Sequence, residues 1–288
     1  MSIWWQGARP RTLPAAVAPV LVGTGAAAAE QGADLLRAGL AMGVALALQV
    51  GVNYANDYSD GVRGTDAGRV GPTRLVASGA AAPGQVRLAA FAAFGTAAVL
   101  GLVLVALTGQ WWLLGVGAVA VLAAWFYTGG GSPYGYRGLG EVSVFVFFGL
   151  VATLGTTYVQ LLRVTTVSVL GAVAIGSLAT AILVVNNLRD IPTDRQAGKR
   201  TLAVRLGDRW TRRLFLLLLA LAYAVVVAIA FAGFPRALLA WLSLPWAVRA
   251  ARPVEAGATG PALVPPLADT GRAELGLAVG VTIGLVVA

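Results

Sequence analysis

Two clusters of carboxylate and amide side chains carry most of the chemistry that this sequence could perform. The first has two asparagines and two aspartates on one predicted helix face: Asn53, Asn56, Asp57 and Asp60. Asp66 follows Gly61 and Gly64, where the helix is expected to end. Carboxylates this close repel one another and would be tolerated if a divalent cation lay among them. Since oxygen ligands without His or Cys favour a hard ion, the cluster predicts a magnesium site.

A second cluster of the same kind occupies residues 186–207. Asn187 precedes Asp190 and Asp194, which are one helical turn apart. If the two clusters face each other, their carboxylates form the walls of one site, in which Mg²⁺ would bridge them to a diphosphate. Four basic residues would neutralise the remaining phosphate charge: Arg69, Arg74, Lys199 and Arg200. Such a clamp stabilises a departing diphosphate, and the apolar segments nearby offer room for a hydrocarbon tail, so the pattern predicts prenyl transfer at a membrane face.

The composition restricts both the class of protein and its chemistry. Of 288 residues, 58% are hydrophobic and only 11% are charged, which predicts an all-α integral membrane protein of many apolar helices. The absence of Cys and His excludes a thiolate nucleophile, a zinc site of the Cys type and the usual general base. Catalysis must therefore use carboxylates, Arg, Asn, Tyr or a bound metal.

Hydropathy predicts one polytopic domain over residues 1–288, a bundle of nine transmembrane helices. The predicted spans are residues 13–29, 35–56, 86–107, 111–128, 141–161, 164–187, 211–232, 235–248 and 274–288. The acidic clusters follow the second and sixth spans, which suggests a pseudo-repeat of two four-helix units.

The basic residues predict the orientation of this bundle. With nine spans, all but three of the 21 Lys and Arg residues fall on the side of the N-terminus, the exceptions being Arg37, Arg163 and Arg236. This bias predicts a cytoplasmic N-terminus and an active site at the cytoplasmic face, beside the lipid headgroups. It also explains the net charge of +9 without a nucleic-acid partner. The Arg-, Ala- and Gly-rich composition favours a prokaryotic plasma membrane, and no oligomeric state is predicted.

Several motifs resemble a known family. They are N-D-Y-S-D at 56–60, D-I-P-T-D at 190–194, R-P-R-T-L-P at 9–14, Y-T-G-G-G-S-P-Y-G-Y-R-G-L-G-E at 127–141, N-N-L-R-D at 186–190 and G-K-R-T-L at 198–202. Together they resemble the UbiA-type intramembrane aromatic prenyltransferases, and within them the branch that acts on 1,4-dihydroxy-2-naphthoate in menaquinone biosynthesis.

The resemblance implies roles for individual residues. It implies that magnesium and diphosphate are bound by Asn56, Asp57, Asp60, Asp66, Asp190 and Asp194, with Lys199 on a phosphate. The family's first motif usually places its last Asp four residues after the middle one, where this chain has Gly64, so Asp66 departs from the pattern. The acceptor is expected near 127–141, with Arg137 or Glu141 touching its carboxylate or hydroxyls. Further substrate-binding candidates are Asn53, Tyr134, Tyr158 and Asn187.

The implied reaction joins a polyprenyl chain to the ring carbon that bears the carboxylate of dihydroxynaphthoate. Carbon dioxide and diphosphate leave, which gives demethylmenaquinol. With no His, the group that accepts the hydroxyl proton is a carboxylate, a phosphate oxygen or water, and the sequence leaves this choice open. Two alternatives are another aromatic acceptor, such as 4-hydroxybenzoate or a chlorophyll or haem precursor, and a membrane transporter.

Overall fold

In the computed structural model, which describes residues 2–64 and 74–287, every regular element is helical. Within these ranges the α-helices are α1 Ile3–Gly7, α2 Pro14–Ala29, α3 Leu35–Arg63, α4 Pro83–Thr108, α5 Leu113–Phe126, α6 Gly140–Val144, α7 Ala152–Leu161, α8 Thr166–Gln196, α9 Leu202–Phe231, α10 Leu244–Glu255 and α11 Val264–Val286. Short 3-10 helices cover Pro10–Thr12, Tyr134–Arg137, Pro235–Ser243 and Gly260–Leu263. A π-helical segment, Phe145–Val151, joins α6 to α7.

Five helical stretches of the described chain are long and apolar enough to cross a membrane: Leu35–Arg63, Pro83–Thr108, Gly140–Leu161, Thr166–Gln196 and Leu202–Phe231. A sixth results if Ile3–Thr12 and Pro14–Ala29, which meet at 49°, count as one bent span. The all-α, multi-pass prediction is therefore confirmed, whereas the count of nine and the pseudo-repeat are not. Part of the difference lies near the C-terminus, where a 3-10 helix and α10 occupy the predicted eighth span and α11 carries charged residues.

Helix α8 lies at the centre of the bundle. It packs against α9, α11, α2, α7 and the π-helical segment, and nearly three quarters of its most apolar stretch is buried. A close backbone contact joins two glycines: a Cβ on Gly149 would lie 2.6 Å from the Cα of Gly176. Small residues of this kind let helix backbones touch, because in lipid van der Waals packing replaces the hydrophobic effect as the force between helices.

Two helices extend beyond the predicted membrane spans, and the polar motifs lie on these extra turns. Helix α3 continues past Asn56 to Arg63 and ends where Gly64 adopts a left-handed φ of 70°. Helix α8 continues to Gln196, with Pro192 inside it. The second motif therefore lies on a helix and not on the predicted loop. The apolar pattern stops where side chains become polar, whereas backbone hydrogen bonds extend the helix for two further turns.

Candidate active site

Asp60, on the last turns of α3, is the centre of a group of charged side chains. Its carboxylate is buried, and Lys199 Nζ and Arg74 Nη2 each lie 3.7 Å from one of its oxygens. The hydroxyl of Tyr136 donates a hydrogen bond to the same carboxylate. A buried carboxylate is tolerated when opposite charges and donors surround it, which these three side chains do.

The segment that follows α8 is hydrogen-bonded to residues of the charged group around Asp60. The backbone N–H of Lys199 donates to the carbonyl of Asp194 at 2.8 Å, and that of Arg200 donates to the carbonyl of Tyr136 at 2.8 Å. The ammonium of Lys199 also lies 4.6 Å from the centre of the Tyr136 ring, within range of a cation–π contact. Residues from both acidic clusters and from the predicted acceptor loop 127–141 therefore meet at one end of the bundle.

Asp190, also buried, forms an ion pair with its neighbour Arg189. The guanidinium donates to both carboxylate oxygens, from Nε at 2.6 Å and from Nη2 at 2.7 Å, and Nη2 also donates to Asn186 Oδ1 at 2.8 Å. Arg189 was not among the residues predicted from the sequence. The predicted sixth span ended at residue 187, which placed Arg189 in a loop, whereas α8 continues through it to Gln196.

Asp57 and Asn56 hold neighbouring segments against the end of α3. The two oxygens of Asp57 accept the backbone N–H groups of Leu75 at 2.8 Å and Val76 at 3.0 Å. Asn56 Oδ1 accepts a hydrogen bond from the Thr128 hydroxyl at 2.8 Å. Asp57 thus fixes the turn that begins beside Arg74, which is itself within reach of Asp60.

Asn53 contacts the N-terminal segment. Its side-chain amide donates to the carbonyl of Ala8 and to the hydroxyl of Thr12, both at 2.9 Å, and the residue is buried. Its oxygen accepts from Gln49 Nε2 at 3.4 Å, one turn earlier on α3. The R-P-R-T-L-P stretch is therefore docked on α3, and these contacts of Asn53 are not with the charged group around Asp60.

The two tyrosines proposed as substrate contacts occupy different places. The hydroxyl of Tyr134 donates to the carbonyl of Ala123 at 2.8 Å and lies 2.9 Å from Ser143 Oγ. Burial raises the pKa of Tyr134, so the phenol stays neutral and serves as a donor within the fold.

Tyr158 lies at the opposite end of the bundle. Its hydroxyl donates to Gln110 Oε1 at 3.1 Å, and the adjacent Val159 carbonyl accepts from Arg37, near the start of α3. At 1.5 Å per residue, Arg37 is about 35 Å from Asp60 along α3. The structure therefore does not bring Tyr158 together with the carboxylates. A tyrosine at this end of the bundle suits the membrane–water interface, where Tyr side chains are enriched.

The remaining predicted residues divide into exposed, buried and undescribed. The side chains of Arg137 and Arg200 are exposed. Glu141, at the start of α6, is buried and accepts a hydrogen bond from Asn187 Nδ2 at 3.0 Å through Oε1. Asp66 and Arg69 lie outside the described residues.

The donor chemistry of this site suits magnesium. Its acidic residues supply only oxygen ligands, since the chain has neither His nor Cys. Among the described residues no three carboxylates are grouped closely enough to hold an ion, and Asp60 and Asp190 each face a cation of the protein. A metal bound with a diphosphate would replace these ion pairs, since the phosphate oxygens attract the same Lys and Arg side chains.

Known proteins share both the sequence and the fold. The UbiA prenyltransferase family matches residues 16–255. A 1,4-dihydroxy-2-naphthoate octaprenyltransferase of Mycobacterium tuberculosis is 54% identical over 94% of this chain and 92% of its own. The protein of the same name from Escherichia coli is 42% identical over 73% of this chain and 70% of its own.

Two solved structures have the same fold. A UbiA homolog from Archaeoglobus fulgidus bound to GPP and Mg²⁺ superposes with a TM-score of 0.71 at 15% identity, covering all of both chains. The apo structure of a UbiA homolog from Aeropyrum pernix gives 0.70 at 18% identity over all of this chain and 98% of its own. With the family matched over most of its length, this multi-pass membrane protein belongs to the UbiA prenyltransferase family.

Proposed function

We propose that the protein transfers a polyprenyl group from polyprenyl diphosphate to 1,4-dihydroxy-2-naphthoate, with loss of CO2 and diphosphate, to give demethylmenaquinol. The observation that carries the proposal is the contact of Asp60 with Lys199 and Arg74 at one end of an apolar helical bundle. An anion site there, beside lipid, suits a substrate with a diphosphate head and a hydrocarbon tail. The two relatives above, which carry this activity in their names, support the choice of acceptor.

Mg²⁺ is the proposed cofactor. We assign its ligands to the two acidic clusters: Asn56, Asp57, Asp60, Asp66, Asp190 and Asp194. Asp57 would use lone pairs that its two backbone N–H partners leave free. The ion would supply positive charge that stabilises the leaving diphosphate. The solved homolog that binds GPP and Mg²⁺ supports this assignment through the shared fold.

The protein's own side chains would bind and orient the two substrates. Lys199 and Arg74, with Arg69 and Arg200, would hold the phosphate oxygens and keep the charge at the bundle end. The tail would then extend along the apolar helices, so that its first carbon lies just below the charged group. An electron-rich naphthol attacks an allylic cation readily, so ionisation and orientation are the steps that require the protein.

The proposed setting is a prokaryotic plasma membrane, with the N-terminus and the active site at the cytoplasmic face and residues 1–288 as one domain. The distribution of basic residues supports the orientation. Nine spans with a pseudo-repeat of two four-helix units are retained as part of the proposal. The shorter and bent helices α2, α5, α10 and α11 would complete the count of spans.

The experiment is an acceptor panel with product masses. Purified protein in lipid nanodiscs receives one polyprenyl diphosphate, Mg²⁺ and, in turn, dihydroxynaphthoate, 4-hydroxybenzoate and a porphyrin precursor. We expect turnover of dihydroxynaphthoate alone, with a product that has lost CO2. Turnover of 4-hydroxybenzoate but not of dihydroxynaphthoate would overturn the acceptor, and solute flux in proteoliposomes without any transfer would favour a transporter.

Metal removal tests the cofactor separately. EDTA should stop the reaction with dihydroxynaphthoate, and added Mg²⁺ should restore it, because the diphosphate departs poorly without charge neutralisation. A rate that is indifferent to chelation would exclude the metal.

A further inference from the structure

Glu141 differs from the other buried carboxylates around the site in having one oxygen without a partner among the described residues. Its Oε1 accepts the amide N–H of Asn187 at 3.0 Å, whereas Oε2 is buried and accepts no hydrogen bond from any residue that the structure describes. The residue is 5% exposed. Buried polar atoms almost always have partners in a native protein, and an exception beside a site indicates a group that a ligand completes.

Glu141 lies at the depth in the bundle where the proposed function puts the first prenyl carbon. Asn187 precedes Asp190 by three residues on α8, so both lie on the same face, about 5 Å apart along the helix. Since α8 ends at Gln196, Asn187 is the one nearer the middle of the bundle. The hydrogen bond to Asn187 therefore places the Glu141 carboxylate about one helical turn below the acidic cluster, where the proposed function puts the first prenyl carbon and the acceptor ring.

Three other carboxylates near the site are poorly suited to accept a proton. Asp57 receives a backbone N–H on each oxygen, and Asp190 receives the Arg189 guanidinium on both. Asp60 faces Lys199 and Arg74. Cations and donors that bind the ionised form of a carboxylate make it a weaker base, whereas no described residue donates a hydrogen bond to Glu141 Oε2.

We propose that Glu141 Oε2 accepts the hydroxyl proton of the aromatic acceptor, with Asn187 holding the carboxylate in place through Oε1. This inference rests on the proposed function. The ring carbon bonds to the first prenyl carbon as the prenyl C–O bond breaks and diphosphate leaves with the electron pair. The bond to the carboxylate then breaks, CO2 leaves, and its electrons return to the ring. The oxyanion takes the proton back from Glu141, which regenerates the glutamate.

The substitution Glu141→Gln removes the base and keeps the packing, because the amide oxygen still accepts from Asn187. We expect kcat for dihydroxynaphthoate to fall about 10²- to 10⁴-fold, the range for loss of a general base. The Kd for polyprenyl diphosphate should stay within about threefold of the parental value. The variant's rate should also rise steeply with the acidity of the acceptor hydroxyl across ring-substituted dihydroxynaphthoates, because a more acidic hydroxyl depends less on a base.

A burial-matched control is Glu274→Gln. Glu274, on α11, is fully buried, and in the described part of the chain neither of its carboxylate oxygens finds a hydrogen-bond partner. We expect this variant to keep transfer within about threefold of the parental rate.

Three results would overturn the assignment of Glu141. They are near-parental transfer by Glu141→Gln, a loss that is the same for acidic and weakly acidic acceptors, and weakened binding of polyprenyl diphosphate that accounts for the loss. The acceptor panel separates this failure from that of the proposed function. If the parental protein turns over dihydroxynaphthoate while Glu141→Gln remains active, only the assignment of the base is wrong.

Discussion

At the scale of single residues, two buried carboxylates of the site are each paired with a positively charged side chain. Asp60 faces two cations and a phenol, and Asp190 is paired with Arg189. Breaking a buried ion pair by removing one partner usually costs several kcal/mol, since the other charge is left uncompensated. The contacts of Asp60 therefore hold the end of α3 to the segments that carry Arg74 and Lys199, whereas the pair of Arg189 and Asp190 lies within α8. A diphosphate with a metal would take over the same charges.

The substitution Asp60→Asn tests whether the negative charge of Asp60 is needed for prenyl transfer. The substitution keeps the size of the side chain and an oxygen that accepts from Tyr136, but it removes the charge opposite Lys199 and Arg74. We expect the rate of prenyl transfer to fall about 100-fold or more, comparable to the loss of one essential electrostatic contact, while the protein still inserts and folds.

Asp34→Asn is the matched control, since it makes the same change on the same helix. Asp34 caps the start of α3 by accepting from the N–H of Arg37, and Asn is an equally good N-cap. Its rate should match that of the parental protein. If the two variants had equal activity in a transfer assay with saturating substrates, Asp60 would have no part in catalysis.

The sequence predicted the types of residue at the site better than their partners. Asp60 and Lys199 were identified because charged residues at the ends of apolar segments are rare and costly. The contacts of Asp57 with the Leu75 and Val76 amides were not predictable, since a backbone N–H leaves no mark in the sequence. The spacing that puts Asn53 on the face of Asp60 likewise does not reveal that the N-terminal segment covers it.

At the scale of elements, helix length and close backbone contact decide where the motifs lie. Apolar periodicity predicted the cores of α3 and α8, and the spacing of the polar residues with Gly61 and Gly64 also predicted the end of α3. The last turns of α8 were predicted as a loop, because polar residues continue a helix as readily as apolar ones. The broken helices were harder to predict. The π-helical segment before α7 and the 3-10 helix Pro235–Ser243 depend on neighbours that hydropathy does not describe.

Gly149→Ala tests the contact between the π-helical segment and α8. The new Cβ would lie 2.6 Å from Gly176 Cα, a backbone atom that cannot turn aside. We expect a loss of about 1–3 kcal/mol, as for other overpacked cores, visible as a lower midpoint of thermal unfolding in detergent.

Gly155→Ala, on α7, is the control for this substitution. A Cβ there meets no atom of residues 2–64 or 74–287 within 4 Å, so helix propensity should leave stability equal or higher by up to about 1 kcal/mol. Equal midpoints for the two variants would show that the bundle adjusts freely at Gly149.

At the scale of the whole molecule, the two ends of the bundle differ in chemistry. One end carries Asp60, Asp190 and Lys199, and the other carries the ion pair of Arg163 with Glu30, beside Arg37. This division was predictable from the sequence, because the alternation of apolar segments assigns each of these loops to a side, whatever the number of spans nearer the C-terminus.

The orientation of these ends is accessible to cysteine labelling, since the chain has no Cys of its own. Gln196→Cys lies at the end of α8 beside the site, and Val164→Cys lies between α7 and α8 at the opposite end, both at exposed positions. Because most basic residues lie at the end with the site, we expect the thiol of the Gln196→Cys variant to react with an impermeant maleimide only in inverted vesicles. The thiol of the Val164→Cys variant should react only in right-side-out vesicles.

Both variants should transfer prenyl groups at the parental rate, which confirms that the labelled protein is folded. The reverse labelling pattern would place the site on the outer face and overturn the proposed orientation.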